Sequence, residues 1–206
     1  MSSQQPVAIV TGANRGIGKE VSRQLAELGF VVLLTARSLP KAKATAAELG
    51  NRNLIPAQLD VADPSSIAAL HGRVVGEFGR LDVLINNAAI HYDTWQRAIN
   101  ADITVVQEAF EANVYGPWRL CQTFIPLLRQ SRQPRIVNVS SGAGALNGMR
   151  GGTPAYSMTK AALNALTLML GDEVRGDRIL VNAVCPGWVA TDMGGRGGRP
   201  VKEGRN

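Results

Sequence analysis

The chain has 206 residues, 45% of them apolar and 18% charged, which suits one domain with a real core and excludes wholesale disorder. Half of the +6 net charge lies from Gly194 onward, where Arg196, Arg199, Lys202 and Arg205 face only Glu203. The rest forms no basic stripe, so no nucleic-acid partner is expected.

The chain alternates in type. Val7–Val10 is a short apolar run that reads as a buried strand. Ile17, Val21, Leu25 and Leu28 then recur at helical spacing, with Gly29 as the cap. Phe30–Ala36 is a second buried strand, Lys41–Leu49 an Ala-rich helix, and Leu54–Leu59 a weaker strand. Asp63-Pro64 is a helix start, followed by Ile67, Leu70, Val74 and Phe78 on one face. Leu81–Ile85 is a strand, and 91–100 fits neither period. Val105–Leu128 reads as helical with a break near Gly116-Pro117. Arg135–Val139 is the next strand, Thr153-Pro154 opens a long helix, and Arg178–Val184 is the last strand. This order predicts an α/β fold: a single Rossmann-type, doubly wound parallel sheet with helices on both faces. Ligands of such sheets sit beyond the carboxyl ends of the strands, so functional residues are sought there.

The first such turn is Thr11-Gly-Ala-Asn-Arg-Gly-Ile-Gly18. Gly12, Gly16 and Gly18 allow a tight turn, a close approach to phosphate and helix-on-sheet packing, and the helix that follows points free N–H groups at a pyrophosphate. Asn14, Arg15 and Ile17 belong to the same turn. After the second strand comes Arg37 rather than the acid that would bind an NAD ribose. Arg15 and Arg37 together suit a 2′-phosphate, so NADP(H) is the expected cofactor. Tyr156 and Lys160 stand four apart in the first turns of a helix, on one face, where an ammonium can lower a phenol's pKa for proton transfer.

Thr11-Gly-x-x-x-Gly-x-Gly18, Asn86-Asn-Ala-Ala89, Ser140-Ser141 and Tyr156-x-x-x-Lys160 together resemble the short-chain dehydrogenase/reductase family, in its carbonyl-reductase-like form. The resemblance implies that Tyr156 is the acid/base, that Ser141 (with Ser140 as the alternative) holds the substrate oxygen, that Lys160 lowers the Tyr156 pKa and binds the nicotinamide ribose, and that Asn113 joins a proton relay through water. It further implies that Asp60 and Val61 hold the adenine, and that the backbone near Asn87 and Ala88 lines the cofactor. Pro186-Gly187 would run along the nicotinamide, with Val189 and Thr191 at its carboxamide. The reaction implied is hydride transfer from NADPH to a ketone or aldehyde, or its reverse from an alcohol.

No metal is implied: His71 and His91 lack partners at ligand spacing. Trp95, Met149, Met158, Trp188 and Met193 are candidates for an apolar substrate pocket. No membrane span or secretory signal is read, since no run nears about 18 apolar residues. Cys121 and Cys185 make no disulfide framework, so a cytoplasmic setting is expected. The resemblance also implies a homodimer or homotetramer.

Residues 1–193 read as an NADP-binding domain with a built-in catalytic site, and 194–206 as a mobile, basic, glycine-rich tail. Members of the family usually continue past this point into a last strand, and no apolar run remains here to form one. The expectation is a fragment, or a sheet one strand short. A catalytically silent nucleotide-binding or interaction protein of the same fold is therefore the alternative function, with an extended-type epimerase third.

Overall fold

The computed structural model describes residues 5–202; positions 1–4 and 203–206, the latter part of the expected tail, lie outside it. Six strands alternate with helices: β1 (Val7–Val10), α1 (Gly16–Glu27), β2 (Val31–Ala36), α2 (Leu39–Leu49), β3 (Leu54–Gln58), α3 (Pro64–Phe78), β4 (Val83–Asn86), α4 (Ile103–Phe110), α5 (Gly116–Leu128), β5 (Arg135–Val139), α6 (Pro154–Glu173) and β6 (Leu180–Val184). All pairings are parallel, in the order β3-β2-β1-β4-β5-β6. The winding reverses between β1 and β4, which opens a crevice at their carboxyl ends.

The apolar strands are explained by two cores. Val7, Ile9 and Leu33 face one side with Leu70 and Val74 of α3, Phe124 of α5 and Leu163 of α6. Ala8, Val10, Val32 and Leu34 face the other with Ala26 of α1 and Ala42 of α2. Alternate residues of one strand thus serve opposite layers. Each fully buried Leu or Ile contributes roughly 1.5–3 kcal/mol.

Cover on the α1–α2 side thins beyond β4. Val137 and Val139 are only partly buried there. Leu180 and Val184 of β6 are exposed, and β6 pairs only with β5 among the described residues. The expectation of helices on both faces holds for the centre of the sheet and not for this edge.

Local signals set most boundaries. Asp63 caps α3 by accepting the Ser65 N–H at 2.8 Å, and Gly50 and Gly79 end α2 and α3 in left-handed conformations. The expected break at Gly116-Pro117 does not occur. The chain passes from α4 through one π-helical turn, Glu111–Tyr115, straight into α5. Pro117 falls in the first turn of α5, where a missing N–H is tolerated. Gly116 is needed for close packing, because a Cβ there would stand 2.7 Å from the Val61 carbonyl. The last strand starts at Leu180 rather than Arg178, whose φ of 58° closes a 3-10 turn.

The ambiguous stretch 91–100 is a loop with one 3-10 turn, Ala98–Asn100, tied to the segment before α6 by the Ala98 N–H to Gly151 carbonyl bond at 3.1 Å. After β6 the chain folds back on itself. Ala190 donates to the Arg199 carbonyl at 2.9 Å, Arg199 donates to the Trp188 carbonyl at 3.1 Å, and the Trp188 indole donates to the Gly194 carbonyl at 2.8 Å. No helix among the described residues is long and apolar enough to cross a membrane.

Candidate active site

One cavity of about 1140 Å³ opens along the carboxyl ends of the strands. Each strand delivers its following residues to it: Gly12 after β1, Arg37 after β2, Asp60 after β3, Asn87 after β4, Ser141 after β5 and Pro186 after β6. All the predicted site residues line it except Gly18 and Asn113.

Gly18 works behind the cavity. A Cβ there would meet Asn87 Nδ2 at 2.5 Å and the Gly12 carbonyl at 2.7 Å. Asn87 Nδ2 donates to the Thr11 carbonyl at 2.8 Å, and the backbone N–H groups of Asn87 and Ala88 both reach Thr11 Oγ1 at 2.9 Å. The β1 and β4 turns are thereby stitched into one floor. Gly12 and Gly16 have φ of 62° and 55°, which favours glycine, and a Cβ on Gly12 would press Ala88 Cα at 2.9 Å. The cradle fits a dinucleotide, with the start of α1 presenting free N–H groups where a pyrophosphate would lie.

Arg37 is exposed at the end of β2 with no ion-pair partner among the described residues, and no carboxylate follows that strand. It can hold a 2′-phosphate. Arg15 instead pairs with Asp192 at 2.8 Å, both well exposed. Such a pair is worth at most about 1 kcal/mol, so it exchanges readily for a phosphate. Asp60 turns its carboxylate to the Ala62 N–H at 3.0 Å, while Val61 is buried.

In the same cavity, α6 sets Tyr156 and Lys160 on one face, as the four-residue spacing requires. Lys160 is buried, its Nζ 5.5 Å from the centre of the Tyr156 ring and donating to the Val139 carbonyl at 2.7 Å. Burial pushes the Lys160 ammonium down to about 8. Tyr156 is half-buried, and burial raises its pKa above the usual phenol value; a hydrogen bond with Ser141 works the other way, and Tyr92 and Cys185 nearby raise it further. The sequence predicts a phenol lowered by Lys160. The structure differs because the ammonium sits over the ring face and is engaged by Val139, while desolvation acts on the phenol directly.

Both serines line the cavity, and their hydrogen bonds tell them apart: the Ser140 hydroxyl donates to Asn164 Oδ1 at 2.6 Å, while Ser141 lies beside Tyr156 and accepts the Ala143 N–H at 3.2 Å. Asn113 sits in the π turn, fully buried. Its Oδ1 accepts the Ile90 N–H at 2.9 Å, and its Nδ2 donates to the Ile90 carbonyl at 3.1 Å and to Thr159 Oγ1 at 3.2 Å. It holds the loop after β4 against α6 and does not itself reach the cavity.

Of the five expected pocket side chains, Trp188 and Met193 line the cavity; Trp95, Met149 and Met158 do not. Tyr92, Cys185 and Glu108 line it unforeseen, Tyr92 in edge contact with Tyr156 at 5.0 Å between ring centres. His91 pairs with Glu108 at 2.8 Å, and His71 packs edge-on against Phe124. Among the described residues, no three His, Cys, Asp or Glu side chains are grouped to hold a metal ion.

The short chain dehydrogenase family model matches residues 6–199. The chain belongs to this family. It is 35% identical to (+)-neomenthol dehydrogenase of Arabidopsis thaliana over 94% of the chain and 86% of that protein. It is 34% identical to mouse carbonyl reductase (NADPH) 1 over 95% of the chain and 86% of the mouse protein. That match runs over 244 aligned positions, more than the chain contains, so the mouse protein carries residues inside the match that this short-chain dehydrogenase lacks. Among solved structures, the NADPH-bound carbonyl reductase from chicken fatty liver superposes with a TM-score of 0.84 at 32% identity, over 93% of this chain and 83% of that one. This short-chain dehydrogenase is therefore an oxidoreductase with a Rossmann-type fold.

Proposed function

We propose that this short-chain dehydrogenase is an NADPH-dependent reductase of ketones or aldehydes. The observation that carries the reading is that Ser141, Tyr156 and Lys160 converge on the same cavity that the glycine turn lines. The exposed Arg37, with no ion-pair partner among the described residues, supports NADP(H), and the carbonyl reductases among its relatives support the same choice.

When bound, NADPH supplies the hydride. Ser141 holds the carbonyl oxygen by a hydrogen bond, and Tyr156 gives its phenolic proton to that oxygen as charge develops. Tyr156, its pKa raised by burial from an already high phenol value, is protonated at neutral pH, the form that reduction needs. Lys160 stays largely protonated at pH 7 and would hold the nicotinamide ribose, with its ammonium over the Tyr156 ring. Asp60 and Val61 would flank the adenine, and Asn87, Ala88, Pro186, Gly187, Val189 and Thr191, which line the same cavity, would hold the rest of the dinucleotide. Asn113 supports the site from behind through Ile90 and Thr159. The reverse reaction oxidises an alcohol with the same groups.

We also propose a cytoplasmic homodimer or homotetramer. The exposed apolar side chains of Trp118 on α5 and of Leu168 and Met169 on α6 support association, and light scattering decides it.

The decisive experiment is NADPH oxidation across ketones, aldehydes and quinones with the wild type and Tyr156→Phe. The expected result is loss of turnover in the variant with NADPH binding retained. Equal rates in the two proteins remove Tyr156 from the chemistry.

A further inference from the structure

The start of α6, which carries Tyr156, is capped from far away in the sequence. Its own N-cap residue, Thr153, has φ of 49° and bonds Ser157 through its hydroxyl instead of capping the helix. The free N–H groups of the first turn are taken by Asp93, in the loop after β4. One carboxylate oxygen accepts the Ala155 N–H at 2.9 Å and the other the Tyr156 N–H at 3.0 Å. Asp93 is fully buried. Gln96, also buried, donates from Nε2 to the first of these oxygens at 3.1 Å and accepts the Asp102 N–H at 2.7 Å with its side-chain Oε1.

The residue next to Asp93 is Tyr92, whose ring meets Tyr156 edge-on. Backbone strain marks both sides of this clamp. His91 and Thr153 are two of the three non-glycine residues at positive φ among those described. Such strain persists only where surrounding contacts over-determine the backbone. A buried cap that served stability alone needs neither the strain nor the link to a neighbouring aromatic in the cavity.

We propose that Asp93 is a positioning residue for proton transfer, an inference that rests on Tyr156 being the acid/base. Its two carboxylate bonds fix the backbone of Ala155 and Tyr156, and with it the neighbouring Tyr92. The phenol is thereby held at one height against Ser141 and the substrate oxygen. The hydrogen bonds of the Asp93 carboxylate run to α6 and Gln96, and none reaches the glycine turn.

The test is Asp93→Asn, which keeps the shape and one acceptor but sets an NH₂ group against one of the two N–H donors. A displacement of about 1 Å costs on the order of 100-fold, so kcat is expected to fall at least about tenfold. The KM of the carbonyl and the Kd of NADPH are expected to stay within about threefold, since Asp93 itself does not line the cavity. Hydrogen exchange at the Ala155 and Tyr156 amides is expected to quicken. A kcat within twofold of the wild type overturns the proposal. So does a fall in kcat matched by an equal loss of NADPH affinity, which marks general damage. If Asp93→Asn does not fold, Gln96→Ala takes its place: a several-fold drop in kcat at unchanged NADPH Kd supports the proposal, and an unchanged kcat overturns it. Tyr156→Phe assayed alongside separates the two claims. Full turnover in Tyr156→Phe removes the acid/base reading and the Asp93 role with it. Loss in Tyr156→Phe with normal turnover in Asp93→Asn overturns the Asp93 role alone.

Discussion

Replacing Lys160 by Met is expected to stabilise the fold while destroying the activity. The ammonium is buried, and its pKa falls from 10.5 to about 8 because burial penalises the charged form. At 1.36 kcal/mol per pKa unit, that is about 3 kcal/mol of destabilisation carried by the protonated side chain. The bond to Val139 offsets about 1 kcal/mol of what Met gains by avoiding the charge. The net expected gain for Lys160→Met is about 2 kcal/mol at pH 7. The pH dependence gives the sharper test. The folded-state pKa lies below the unfolded one, so between about pH 8 and 10.5 the unfolded chain binds more protons at this site. The wild type therefore recovers stability as pH rises through that window, while the variant does not. Urea unfolding of both proteins at pH 7, 9 and 10.5 measures the difference, from which other titrating groups cancel. The variant's advantage is expected to be constant below pH 8 and to shrink toward pH 10.5. A variant less stable at pH 7, or an advantage independent of pH, refutes the reasoning that burial dominates at Lys160.

Arg37→Asp is expected to move cofactor preference toward NADH by tenfold or more, since a carboxylate repels a 2′-phosphate and accepts a 2′-hydroxyl; the ratio of kcat/KM for the two cofactors checks it, and an unchanged ratio removes Arg37 from the site. Gly18→Ala is expected to weaken NADPH binding and lower Tm, because its Cβ would strike Asn87 and the Gly12 carbonyl at 2.5 and 2.7 Å, parting the β1 and β4 turns; calorimetric titration and thermal unfolding give the answer. Cys185 is exposed in the cavity next to Tyr156, whereas Cys121 is buried with its thiol pushed up to about 12. Iodoacetamide is therefore expected to label Cys185 alone and to slow turnover, as peptide mapping and residual activity will report.

The sequence by itself determined the order of elements, the parallel sheet and the two motifs that flank the cavity. These signals are local: apolar period, Asp63-Pro64 at a helix start, glycines where φ is positive, and Tyr156 and Lys160 one helical turn apart. The choice of Ser141 over Ser140 comes from the family resemblance, and the structure tells the two apart by their partners, Asn164 for Ser140 and Tyr156 for Ser141. Only the tertiary structure decided what depends on pairing across long separations. Asn113 lies in a π turn, which no sequence period announces, and its side chain faces Ile90 and Thr159 rather than the cavity. The Tyr156 phenol is raised rather than lowered because desolvation depends on everything packed around it, not on the lysine four residues away. Asp93 sits in a stretch with no periodicity, and the helix it caps begins 61 positions later, at Pro154. A carboxylate in an irregular loop carries no mark of the N–H groups that folding will bring to it.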